Sequence, residues 1–510
     1  MDHIIGEDHN QMRFLSLEQM VAADSWARVI DLFVDLLPLQ ELGFKHAVPV
    51  KEGRPPYNPS TLLKFYLYGY KHAIRSTRKL AHCCTINVEL WWLLHGLKPS
   101  FRTIAYFRKE NAEALKAAFR RFVLLLKEME LIEGDTVAVD SFKIFAQNGL
   151  RNNFTQKKIN RHIEYIDRKI EEYESQLNES DTKDNALIKA KIAEKLSRRK
   201  KYVQMSDKLK QSGENQVSLI DPDARSLVST KYISGVGYNV QAAADGKHKL
   251  FAHNHIGEST DKRELATAAL SVQSLLGLKC FKTLSDAGYT TGDQLYLCKQ
   301  AGIITYSSPM PSTSPSDNCY PLSRFIYHKQ GNYYICPCGA MMTTHAGWVH
   351  RPNYRSRVYK TKACIDCSLR EKCTQNKIGR VIERSEYQDT IDENNNRVIQ
   401  NHDYYKLRQQ IIEHPFGVLK RQWGFTYTLM KGKANVLSEV NILMIVYNLR
   451  RCLTILGTQG FKKRLKELME RYSCENCIFC LLITYSYALC AFVWGKRNEK
   501  FILKLKYAHY

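Results

Sequence analysis

The stretch TVAVDSFKIFAQN, residues 136–148, decides the fold class. It is a β-branched apolar run broken by one acid, Asp140, and bounded by Gly134 and by Asn148-Gly149. Such a run reads as a strand buried on both faces apart from its acid. Downstream, SLVSTKYISGVGYNVQAAAD (226–245) and KLFAHNHIG (249–257) read as further strands, and KRELATAALSVQSLLG (262–277) as a helix. CFKTLSDAGYTTGDQL (280–295) is a strand, an acid at its end and a glycine turn into a helix, and GIITYSSP (302–309) is one more strand. This order predicts an α/β core, a mixed sheet flanked by helices.

Upstream, residues 1–132 read as helical. RVIDLFVDLL is amphipathic, PSTLLKFYLYGYKHA starts after a proline-rich turn, and SFRTIAYFRKENAEALKAAFRRFVLLLKEMEL carries apolar positions at helical spacing. Compact helices with interleaved Arg, Lys and Tyr suit a helix-turn-helix-like module, and a plain helical bundle is the alternative. Between the first two strands, Ile159, Ile163, Ile166, Ile170, Tyr173 and Leu177 step by four and three, a heptad seam. With the polar turn NESDTKDN and the returning helix, residues 156–212 read as an antiparallel hairpin insertion. Its cluster Arg198 to Lys201 is either solvated face or a nucleic-acid contact. Residues 311–400 read as an irregular Cys-containing insertion, 401–458 as helical, and 459–510 as a basic and apolar tail. The core strands occupy 133–155 and 213–310.

The balance of 75 Lys and Arg against 51 Asp and Glu leaves a formal charge of +24. Charge of that size points to a polyanion, nucleic acid or an anionic membrane, rather than to surface solvation alone. At 44% hydrophobic residues the chain buries a core and is not disordered as a whole. MDHIIGEDHNQMRFLSLEQM lacks the pattern of a secretory signal, and 15 cysteines, an odd number, fit free thiols in a reducing compartment. The expectation is a cytoplasmic protein without a membrane partner. The apolar run at 478–494 is marginal in length for a span and reads better as a buried helix.

Three acids stand where acids are unwelcome. Asp140 interrupts an apolar strand, Asp286 ends one before a glycine turn, and Glu413 heads the basic stretch HPFGVLKRQWGF. Singly each has an ordinary explanation: a local hydrogen bond for Asp140, an Asx turn with Gly288 for Asp286, solvated charge for Glu413. Jointly they suit hard divalent cations, which take carboxylate oxygens and phosphate oxygens as ligands. Two such ions activate a water or a 3′-hydroxyl and stabilise a leaving oxygen.

VAVDSFKIFAQN, SDAGYTTGDQL and YYKLRQQIIEHPFGVLKRQWGF, in that order, resemble the three catalytic blocks of bacterial insertion-sequence DDE transposases. The likeness extends to GVGYNVQAAADGKHKL and to the N-terminal GRPPYNPSTLLKFYLYGY, IRSTRKLAHCC and TIAYFRKEN, and it covers residues 10–455. The most similar group is the one named "eleven-eighty-two". The resemblance implies an RNase H-like mixed-sheet catalytic core with an all-helical N-terminal DNA-binding domain. It implies two Mg²⁺ or Mn²⁺ ions on Asp140, Asp286 and Glu413, and cleavage and strand transfer of double-stranded DNA. The partners implied are the element's terminal inverted repeats and target DNA, with a homodimer on DNA and association with the bacterial nucleoid when acting. A nuclease of the same core that does not join strands, or an inactive DNA-binding descendant, are the rival readings.

The family's third block has a Tyr, Arg, Glu, Lys signature. Glu413 and Lys420 keep its spacing and Tyr405 and Arg408 keep theirs, but four residues separate Arg408 from Glu413 where the pattern has three. Pro415 is expected to push His414 away from helical geometry and to leave Glu413 near a helix end or kink. Tyr405, Arg408, Lys420, Arg421 and Trp423 are the candidate DNA-contacting residues, with Trp423 equally readable as a core aromatic. Cys336, Cys364, Cys367 and Cys373 form a candidate zinc set, in which only Cys364-x2-Cys367 has knuckle spacing; reduced thiols in a β-rich insert are the alternative. Cys338 overfills a tetrahedral site, and Cys474, Cys477 and Cys480 sit beside the apolar tail. His253, His255 and His414 read as packing or polar-network residues, and SGVGYNV lacks the lysine of a P-loop.

Overall fold

The structure is a computed structural model. It describes residues 10–506 except 13, 50–51, 54, 180–184, 230–231, 311–317 and 345–346, with no side-chain description for 179, 228–229, 232–234 and 473–506. The cysteines at 474, 477 and 480 and the apolar run at 478–494 lie outside the described side chains. Two compact units divide the chain, 1–110 with 449–510, and 111–448.

The first unit contains no strand among its described residues. Its short helices are α1 (Leu17–Met20), α2 (Trp26–Asp35), α3 (Pro59–Lys71), α4 (Thr77–Ile86), α5 (Val88–Leu93) and α6 (Phe101–Glu110). The proline-rich turn does the work expected of it: Asn58 caps α3 by accepting from the Ser60 N–H at 2.9 Å, and Pro59 takes the first helical position. From Leu62 to Tyr70 every residue of α3 is buried, which makes it the centre of this unit. Its polar atoms are paired. Lys64 Nζ lies 2.6 Å from Asp31 and 2.7 Å from Asp35, and the Tyr66 hydroxyl donates to the Ile104 carbonyl at 2.7 Å.

The second unit opens with α7 (Ala112–Glu128) and is organised around β1 (Thr136–Phe145). The other strands are β2 (Asn153–Thr155), β3 (Gln216–Ser218), β4 (Arg225–Ser229), β5 (Tyr232–Asp245), β6 (Phe251–Ile256), β7 (Phe281–Ser285) and β8 (Ile303–Ser307). The central sheet runs β4-β5-β1-β7-β8, with β6 also on β5. β5 pairs antiparallel with β1, β4 and β6, while β7 and β8 run parallel to β1. The sheet is thus mixed, as its sequence pattern predicts. The parallel strands are reached through helices, α10 (Leu265–Leu276) before β7 and α11 (Gly292–Gln300) before β8. Gly237 explains the glycine-rich SGVGYNV without a nucleotide. It pairs with both Phe145 and Arg225, and a Cβ there would lie 2.0 Å from the Ile144 carbonyl oxygen.

Between β2 and β3, α8 (Gln156–Glu179) and α9 (Asn185–Ser212) form the expected hairpin. Ile159 and Ile166 of the seam are fully buried, and Arg199 reaches across to Asp167 at 2.6 Å. Residues 322–385 build two small three-stranded sheets over a core of Phe325, Tyr334, Cys336, Met342, Tyr359, Cys373 and Ile382. Next come α12 (Gln388–Gln400) and α13 (His402–Arg408). The helix from Lys433 is long and apolar enough to cross a membrane, yet 61% of its most apolar window is buried in the protein. It behaves as a core helix. Asn448 on it exchanges two hydrogen bonds of 2.9 Å with the backbone of Phe251 in β6, and buried Glu439 accepts from the Leu429 N–H. At Gly457 the backbone leaves helical geometry (φ 68°, ψ 165°).

Candidate active site

Two of the three predicted acids are neighbours because of strand register. The parallel pairing of β1 with β7 ends at Ala138 opposite Leu284. Asp140 and Asp286 each lie two residues beyond that pair, on strands about 4.8 Å apart. Asp286 caps a short turn at Ala287–Tyr289, its Oδ1 accepting from the Gly288 N–H at 2.8 Å. The Asx turn is therefore present, and it fixes the orientation of the carboxylate.

The third acid arrives on a helix that is not a plain α-helix. Gln409–Glu413 form a π-helical turn, His414–Gly417 an α-helical one, and Val418–Gln422 a second π turn. This corrects the expectation drawn from Pro415. His414 keeps helical angles (φ −60°, ψ −51°), and the chain passes through the proline without breaking. Proline lacks an N–H and its ring would meet the carbonyl four residues back; a widened turn there opens the room. The same turn accounts for the extra residue in the signature. On an α-helix, residues five apart point about 140° away from each other. In a π turn the i→i+5 hydrogen bond brings them nearly into line. Arg408 and Glu413 are five apart, and they meet: Nη2 lies 3.4 Å from Glu413 Oε1 while Nη1 lies 2.7 Å from Asp140 Oδ2. One guanidinium thus spans two of the three acids.

Burial dominates the electrostatics. It pushes the Asp140 carboxyl up to about 6, against the opposing pull of Arg408, and the charges of Asp286 and Asp261 push it the same way as burial. Asp286 is raised too, chiefly by burial and also by Asp261, while the Gly288 N–H works against both. Asp261 is the residue that sequence reading missed. It is held by Asn239 Nδ2 at 2.8 Å and Gln241 Nε2 at 2.6 Å, both on β5, and Gln241 in turn accepts from the buried Tyr289 hydroxyl. In the sequence it is one acid in ESTDKREL, ahead of a helix, where an acid is commonplace.

The cations divide into two groups. Lys420 is half-buried, its Nζ 5.7 Å from the Phe142 ring, with its charge loss by burial opposed by Asp140. Arg421 is exposed. Tyr405 is half-buried near Arg408. Trp423 is half-buried and edge-on to Tyr447 at 6.5 Å. Just beyond it, the backbone joins the end of β1: the Phe145 N–H donates to Thr426 O at 2.9 Å and the Thr428 N–H to Phe145 O at 2.8 Å. His253, His255 and Glu264 form a chain of contacts at 3.0 and 2.8 Å. Burial holds the His253 imidazole down at about 3, so it stays neutral.

The donor set at Asp140, Asp286, Asp261 and Glu413 is all carboxylate oxygen and suits a hard divalent ion. Among the described residues, however, no three His, Cys, Asp or Glu side chains are grouped to hold a metal ion; Asp140 and Glu413 instead contact the Arg408 guanidinium. In the insert, Cys373 feels the charges of Cys336, Cys364 and Cys367, but among the described residues no three of these cysteines are grouped as ligands of one metal ion. Cys336 and Cys338 are 3.0 Å apart, closer than the ~3.8 Å separating two sulfurs on one tetrahedral zinc.

Residues 335–453 match the family model described as "Transposase DDE domain", and residues 15–110 match "Transposase domain (DUF772)". Both bear out the resemblance to insertion-sequence DDE transposases. The first match takes in Glu413 and the Cys-bearing insert, and stops short of Asp140 and Asp286. No curated protein matches the chain. Among solved structures, the cryo-EM synaptic complex of piggyBac transposase with hairpin DNA is 8% identical, covering 87% of this chain and 79% of that one with a TM-score of 0.32. So loose a superposition carries no argument about this chain.

Proposed function

We propose that this chain, two segments of which match transposase domains, is an insertion-sequence transposase that binds the ends of its element and catalyses metal-dependent DNA cleavage and strand transfer. One observation carries the reading: Asp140 in the middle of β1 and Glu413, distant in sequence, both contact Arg408, and the charge of Asp286 acts on the same guanidinium. The layout of the sheet supports an RNase H-like core. Its first strand is central, with an antiparallel meander on one side and two parallel strands on the other.

Asp140, Asp286 and Glu413 would hold two Mg²⁺ or Mn²⁺ ions. When bound, these supply a lowered pKa to the attacking water or 3′-hydroxyl and stabilise the leaving oxygen. The chain's own residues do the rest. The Gly288 N–H and burial fix the Asp286 carboxylate, Asn239 and Gln241 fix Asp261, and Lys420 and Arg421 hold phosphates of the bound strand. The +24 charge supplies affinity that falls with salt. The first unit and the basic surfaces bind the terminal repeats, and a homodimer brings two ends together in the cytoplasm at the nucleoid.

The test uses inverted repeats read from DNA flanking the coding region. Purified chain, Mg²⁺ and a duplex ending in the repeat's 3′-hydroxyl are incubated with supercoiled plasmid. Joined product that disappears with Asp286→Ala, while DNA binding persists, is expected. Nicking without joining would leave a nuclease, and function unaffected by Asp286→Ala would leave a DNA-binding protein.

A further inference from the structure

Arg408 sits where the reaction proposed above needs a cation. Its guanidinium touches Asp140 at 2.7 Å and Glu413 at 3.4 Å, and its side chain is only 12% exposed. It is an imperfect occupant, since its Nε is buried without a hydrogen-bond acceptor. A divalent ion such as Mg²⁺ takes carboxylate oxygens at about 2.0–2.1 Å and would draw on the same two carboxylates that the guanidinium now contacts. On the same two carboxylates the guanidinium and a divalent ion would be close like charges, so each weakens the hold of the other. The π turn makes this occupancy possible, because it brings Arg408 into line with Glu413 across an otherwise misaligned spacing.

We propose that Arg408 is a positioning residue that stands in for the cation in the DNA-free chain, holding Asp140 and Glu413 in place and yielding them when a DNA phosphate offers it another anion. The phosphate has a route to it. Lys420 feels the charges of both Asp140 and Lys143, and Arg421 is exposed on the same helix. Metal binding and DNA-backbone binding are then coupled, and each tightens the other. This inference rests on the transposase reading of the site.

The test measures metal affinity rather than turnover. The full chain, stripped with chelator, is titrated with Mn²⁺ by calorimetry at pH 8. The titration is repeated with a duplex carrying the flanking inverted repeat and ending in a dideoxynucleotide, so that no joining occurs. Arg408→Gln should bind Mn²⁺ at least roughly tenfold more tightly than wild type without DNA, the scale of one charge-assisted contact released. The duplex should tighten wild type by a similar factor and Arg408→Gln hardly at all. Arg408→Lys, which keeps the charge but loses the fork, should fall between and guards against a folding defect in the first variant. Lys189→Gln, an exposed cation on α9 outside the site, controls for the simple loss of a positive charge and should shift affinity by less than about twofold. Equal affinity of wild type and Arg408→Gln without DNA overturns the inference, as does a duplex that fails to tighten wild type. If strand joining still depends on Asp140, the transposase reading survives that failure. If Mn²⁺ binding is indifferent to Asp140→Asn in every form, the metal site itself falls.

Discussion

Neutralising Asp140 should change how the stability of this protein depends on pH. Its carboxyl is held at about 6 in the folded chain, against 3.8 for an ordinary aspartate, because burial outweighs the pull of Arg408. The sign follows from proton counting. Between those two values the folded state holds more protons than the unfolded state, so stability falls as pH rises. The cost is absent well below 3.8 and complete well above 6. With these two values the linkage relation gives a loss on the order of 1 kcal/mol between pH 5 and pH 8 from this group alone. Asp140→Asn removes that component and leaves the others. The assay is urea unfolding of wild type and variant at both pH values, in chelator so that no divalent ion compensates the charge. The quantity compared is the difference in pH response, because the variant also deprives Arg408 of a partner and its absolute stability is a mixed signal. Wild type should lose on the order of 1 kcal/mol more than Asp140→Asn on going from pH 5 to pH 8. Identical pH responses would refute the argument that burial, and not the ion pair, controls this carboxyl.

Other expectations follow from single contacts. Asp261→Asn removes a charge that raises both Asp140 and Asp286, so the acidic limb of the strand-joining pH profile should move to lower pH; an unmoved limb would separate Asp261 from the site. Gly237→Ala places a Cβ 2.0 Å from the Ile144 carbonyl, and the backbone of β1 has no side-chain freedom with which to yield. It should cost about 3 kcal/mol or more, read as a lowered urea midpoint or lost soluble yield. Ile166→Ala empties a fully buried place in the hairpin seam, and about 2–4 kcal/mol of local stability should go with it. Limited proteolysis should then cut first within 156–212, while the central sheet stays protected.

Much of the architecture is legible in local pattern. The β-branched run around Asp140, the acid and glycine turn at Asp286 and the heptad seam each report a nearby physical requirement: a buried strand, a turn, an apolar stripe. Those requirements are met within a few residues, so a linear reading finds them. The proline-capped start of α3 belongs to the same class, since the cap and the first turn are contiguous.

What only the tertiary structure decided lies at the acids themselves. The spacing of Arg408 and Glu413 reads as a mismatch because helical spacing is judged at 3.6 residues per turn; the chain uses a wider turn, and the mismatch disappears. Pro415 reads as a break for the same reason, yet the helix passes through it. Asp261 is invisible because its partners, Asn239 and Gln241 on β5 and the charges of Asp140 and Asp286, are brought to it by strand pairing and not by sequence spacing. Local order is written in the periodicity of side chains. The meeting of charges that repel one another, balanced by a single guanidinium, exists only after the sheet has closed around them.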